Sequence, residues 1–143
     1  MTENINKAWK WKGIVAKEII DVNDFGNVIL LTEKNEYWRI CPEELSCKKV
    51  ASTKKDWEKL KVKSDFIEDW RMTSLVECAK NIMGELKADE KYCLKIPGVL
   101  GGAYNESNIG KISFSELIAF CGDTAFQIKD LEDGKKVTIK ITD

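Results

Sequence analysis

The chain has 143 residues, 43% of them apolar and 33% charged, with a net charge of −1; one domain able to bury roughly two-thirds of its unfolded surface is expected, and five Trp exclude a disordered composition. It contains no His, which removes the Ser-His and Cys-His nucleophile pairs and the commonest metal ligand. Cys41, Cys47, Cys78, Cys93 and Cys121 include no C-x-x-C pair, no apolar run approaches the roughly 18 residues of a membrane span, and MTENINKAWKWKG lacks a signal-peptide core, so the expectation is a cytoplasmic protein with reduced thiols, no metal and no cofactor.

Residues 1–8 are polar and read as a frayed end, after which Trp9, Trp11 and Ile14 are apolar enough to dock. From Ile14 to Val22 neither period is clean, and a strand is preferred over a short helix. Asp24-Phe25-Gly26-Asn27 then turns the chain into a hairpin: a strand over Asn27 to Thr32, a polar turn over Glu33 to Glu36, and a strand over Tyr37 to Cys41. Pro42 closes that strand and Cys47 to Ala51 adds another, which makes the first half an antiparallel meander.

The period then changes. Phe66, Ile67, Trp70, Met72, Leu75, Val76, Ala79, Ile82 and Met83 show spacings of three and four, predicting a helix of about twenty residues capped by Ser64 and stopped by Gly84. Tyr92 to Ile96 reads as a strand, and Gly98, Gly101 and Gly102 as chain reversal, since their spacing fits no phosphate-binding loop. Ser113-Phe114-Ser115-Glu116 is a capping box, in which the Ser hydroxyl accepts from the Glu116 amide and the Glu116 carboxylate reaches back to the Ser113 amide. The helix it opens carries the apolar stripe Leu117, Ile118, Cys121, Ala125, Ile128 and Leu131; Asp133-Gly134 is a turn, and Val137 to Ile141 alternates as a last strand. The fold class is α+β: residues 1–143 form a single domain in which an antiparallel sheet packs against two principal helices.

No residue combination carries catalysis. Glu43-Glu44, Glu68-Asp69, Asp89-Glu90 and Asp130 with Glu132-Asp133 read as solvated acids or a partner-facing patch, because a glycosidase-type pair is defined by separation in space. Seven Lys between 48 and 63 face only Asp56 and Glu58, but with two Arg in the whole chain this is a solvated face and not a nucleic-acid footprint. Trp38, Trp57 and Trp70 fall on the apolar sides of their elements and read as core, with interface anchoring the alternative.

Three stretches taken together resemble a known family: Asn23-Asp24-Phe25-Gly26-Asn27, Tyr37 to Leu45 with its Cys-Pro-Glu-Glu-Leu end, and Leu94 to Gly134 with Gly101-Gly102-x-Tyr104, Asn108, Gly122-Asp123, Gln127-Ile128 and Asp133-Gly134. The family is that of bacterial type VI secretion immunity proteins, specifically the C-terminal domain of one that neutralises a DNase effector. The resemblance implies a non-enzymatic, cytoplasmic protein that binds a cognate toxin and occludes its active site, with no direct nucleic-acid or membrane contact. It does not carry the toxin's identity. Together with the polar loops it points to Glu43, Glu44, Tyr104, Asn105 and Asn108 as partner-binding residues; the competing expectation is that Tyr104 packs on its own sheet and the acids face water. The alternative function is a general protein-interaction or regulatory module without a toxin partner.

Overall fold

The first half of the chain folds as its hairpin signals predict. In the computed structural model, which describes residues 1–131, β1 (Ala16–Val22), β2 (Val28–Thr32), β3 (Tyr37–Cys41) and β4 (Ser46–Ala51) pair antiparallel in that order. The turn expected at Asp133-Gly134 and the strand expected over Val137 to Ile141 lie outside the described residues. Gly26, at φ +70°, closes the turn between β1 and β2, where the Asn23 side chain accepts from the Phe25 and Asn27 amides. Asn35, at φ +61°, closes the next one; Asn is among the few side chains that tolerate this conformation.

β2 is apolar on both sides because both faces of the sheet are covered. Val28 and Leu30 join Ile40 and Cys47 in a cluster with Ile118, Cys121 and Ala125, whereas Ile29 joins Tyr37, Ala51 and Trp57 on the other face. The first cover is made by α5 (Phe114–Ile128) and α1 (Thr2–Trp9), the second by α2 (Lys54–Leu60) and α3 (Ser64–Arg71). Where a frayed polar end was expected, α1 is a helix with Ile5 and Trp9 fully buried; these two apolar residues one turn apart suffice to dock it. Gly122 permits the close crossing with α5: a Cβ there would stand 2.5 Å from the Ala8 carbonyl oxygen.

The single helix expected from Ser64 to Gly84 is two helices, α3 and α4 (Thr73–Met83), broken at Met72 with φ +47°. The Asn23 amide donates to the Trp70 carbonyl (2.8 Å), an acceptor a continuous helix would use internally, and Thr73-Ser74 are weak helix formers. Ser64 is the first helical residue and not the cap, which is Lys63 without a side-chain bond. Gly84 does stop α4, at φ +77°. Only α3 therefore covers the main sheet, while α4 packs on a second sheet.

That second sheet has two strands, β5 (Glu90–Leu94) and β6 (Ile109–Ser113), and Tyr92, Leu94 and Ile109 are buried with Phe25 and Ala79. β6 was not expected, because Ile-Gly-Lys-Ile-Ser is short and its Gly weakens the strand signal. It runs directly into α5, where Ser113 Oγ accepts from the Glu116 amide (3.3 Å). Half of the capping box differs from expectation: the Glu116 carboxylate accepts from the Ser113 hydroxyl (3.0 Å).

Candidate partner-binding site

Two reversals meet above the junction of the sheets. One is the 3-10 turn Pro42–Glu44 that ends β3, closed by Leu45 at φ +49° with its side chain buried in the core. The other is the loop from Lys95 to Asn108 joining β5 to β6. The tightness of that loop explains two of its glycines: a Cβ on Gly102 would fall 1.8 Å from the Ile96 carbonyl oxygen, and one on Gly98 would strike the Tyr104 hydroxyl at 2.3 Å and its ring at 2.5–2.7 Å.

These reversals sort the five expected contact residues into two kinds. Glu43 is buried, and both its carboxylate oxygens accept from the Asn27 amide (3.0 and 2.9 Å). Asn27 in turn accepts from Arg39 Nε (3.1 Å) and Nη2 (2.9 Å), and Arg39 pairs with Asp69 through Nη1 while lying 5.2 Å from the Trp70 ring centre. The carboxylate is thus linked through one amide to a cation, which offsets the cost of burying it. Asn108 is also buried. Its side chain accepts from the Ile96 amide (2.8 Å) and donates to the Ile96 (2.8 Å) and Ala103 (2.9 Å) carbonyls, so it staples the loop shut.

Glu44, Tyr104 and Asn105 stay at the surface. The Tyr104 hydroxyl donates to the Glu44 carboxylate, which joins the two reversals; Asn105 Oδ1 accepts from the Ser107 amide (3.0 Å) and caps the turn Glu106–Asn108. Tyr104 therefore lies over its own loop at Gly98 while remaining 47% exposed. Beside it Ile96 and Val99 are 54% and 52% exposed. Sequence reasoning missed this pair, having read Ile96 as the end of a strand from Tyr92; β5 stops at Leu94 and leaves Ile96 in the loop.

Burial pushes the Tyr104 phenol up, reinforced by its bond to Glu44, so it is a neutral donor at neutral pH. Burial and the Glu43 charge push the nearby Cys41 thiol up as well, which keeps it in the unreactive protonated form. Among the described residues no group of three or more His, Cys, Asp or Glu is arranged to hold a metal ion, and no helix is long and apolar enough to cross a membrane.

Comparison of the sequence with known families places this α+β domain. Residues 51–125, just over half of the chain, match the family described as T6SS immunity protein Tdi1, C-terminal, and the chain belongs to that family. The match takes in α2 to most of α5 and the Tyr104 loop, and it leaves the motifs between 23 and 45 outside. No curated protein and no solved structure matches the chain.

Proposed function

We propose that this protein is a non-enzymatic immunity protein, acting as one domain in the cytoplasm, that binds a cognate type VI secretion toxin and covers its active site. The observation that carries this reading is the family match over 51–125. The exposed Glu44, Tyr104 and Asn105, flanked by Ile96 and Val99, supply the contact face. Tyr104 is a rigid amphipathic anchor at low entropic cost, and Glu44 suits a cationic surface such as a nuclease must present to phosphate. Glu43 and Asn108 act from beneath by holding turn and loop in shape.

Co-expression with a candidate type VI effector, sought first among the neighbouring genes, tests the reading. Wild type should restore growth, and Tyr104→Ala combined with Glu44→Lys should lose that protection while still folding. Growth arrest despite wild type, with no binding to the effector, would reject immunity. Binding without rescue would favour an interaction module.

A further inference from the structure

We propose that the groove between the β5–β6 sheet and α5 seats an apolar segment of the toxin flanked by Lys or Arg; this rests on the immunity reading above. The inner residues of the small sheet, Tyr92, Leu94 and Ile109, are buried with α4 and the β1–β2 turn. Residues that alternate with them, Cys93, Gly110 and Ile112, line a cavity of about 660 Å3 together with Leu117, Phe120 and Thr124 of α5. This is within the range of ~300–1,000 Å3 typical of occupied sites. Ile112 and Phe120 are half-buried, belong to none of the three apolar clusters of the described residues, and line the groove.

The charges at its mouth give the sign of the occupant. Glu116 and Asp123 are both exposed and, seven residues apart, lie on one face of α5; Glu43 stands at the inner end. Of the two lining cations, Lys111 is drawn away, its Nζ donating to the Glu85 carbonyl (2.7 Å) and lying 3.9 Å from Glu90. That leaves Lys95 against the two exposed carboxylates, Glu116 and Asp123, while Glu43 is already held by Asn27. An apolar floor with an acidic rim selects apolar side chains carrying cationic neighbours.

Two observations assign the groove to the toxin. Its lining, apart from Phe25, Pro42 and Glu43, falls within 51–125, the stretch that defines membership of the immunity family. Glu43 borders both the groove and the cleft that holds Glu44 and Tyr104, so one partner can cover both continuously.

The test measures Kd for a catalytically inactivated form of that candidate effector. Gly110→Val adds apolar bulk to the groove, and the atoms nearest a Cβ there are those of the Lys95 and Cys93 side chains, at an ordinary contact distance of 3.5–3.6 Å. Asp123→Lys reverses the rim. Each should raise Kd roughly tenfold or more while leaving Tm near wild type, a toxin Lys→Glu or Arg→Glu change should rescue Asp123→Lys, and binding should slow amide exchange at Gly110–Ile112. Unchanged Kd for both variants, with Tyr104→Ala weakened, overturns the groove and leaves the immunity reading standing. No binding by wild type rejects both. If amide exchange at Gly110–Ile112 in the free protein is released by deleting residues 132–143, or depends on protein concentration, the occupant is the chain's own end or a second copy, and the proposal is overturned.

Discussion

The two sheets of this molecule are built to opposite ends. The β1–β4 sheet has a central strand, β2, that is apolar on both sides, and both its faces are covered, by α1 and α5 on one side and α2 and α3 on the other. The β5–β6 sheet buries one face with α4 and leaves Ile112, Phe120, Ile96 and Val99 partly or largely open along the other and at its loop. A face already covered by its own helices offers little to a partner, so the contact face proposed above lies on the smaller sheet and the loops held above it. If that proposal holds, mutations in the two regions should separate stability from binding.

The largest effects belong to the covered sheet. Ile118→Ala should lower stability by roughly 2–5 kcal/mol, since the cavity opens where the core cannot collapse. Gly122→Val should be at least as damaging, because its Cβ meets the Ala8 backbone at 2.5 Å and backbone gives less readily than a side chain. Phe120→Ala, two residues from Ile118 but facing the groove, should cost under about 1 kcal/mol. Denaturant midpoints decide the matter: equal losses for Ile118 and Phe120 would break the comparison. The thiols sharpen it. Burial pushes Cys47 and Cys121 from about 9 to about 12, so the stability they contribute is fully present below about pH 9 and is lost as the pH rises through about 12. In the native protein, thiol reagents should label groove-lining Cys93 before either of them.

Asn108→Ala comes next. It removes three hydrogen bonds and leaves the Ile96 amide and the Ile96 and Ala103 carbonyls without their partner, a cost of roughly 1–3 kcal/mol. Because the damage is confined to the loop, toxin binding should fall by more than the lost stability alone explains. If the midpoint drops and binding holds, the loop is scaffold and not surface. Ser113→Ala should cost about 0.5–2 kcal/mol, as expected for a helix N-cap, and should spare the loop.

How much of this was legible in the sequence followed from how local each signal is. The meander was readable because Val28 to Thr32 and Tyr37 to Cys41 are apolar runs around the polar Glu33 to Glu36 turn, and the start of α5 because Ser113 and Glu116 carry their own capping chemistry. The break at Met72 was hidden, since its cause, the Asn23 side chain, sits far away in sequence. The same holds for the candidate site. Glu43 and Glu44 are adjacent acids, and only the turn geometry of Pro42–Leu45 sends one inward to Asn27 and the other outward to Tyr104. Asn108 reads as a polar loop residue until its three backbone partners are in place.

The smallest change tests the division at its finest point. Tyr104→Phe removes only the hydroxyl that donates to Glu44, and both groups are exposed, so stability should fall by no more than about 0.5–1 kcal/mol. The ring stays on Gly98 and the loop should keep its shape. The phenol is pushed up from its ordinary value, so the contribution of this bond is fully present below about pH 10 and fades as the pH rises beyond it. Tyr104→Ala, by contrast, strips the ring itself from the surface and should weaken toxin binding far more than it lowers the melting temperature. A Phe variant that loses as much stability as Asn108→Ala would make Tyr104 part of the scaffold, and the boundary between the two regions would then have to be drawn outside the loop.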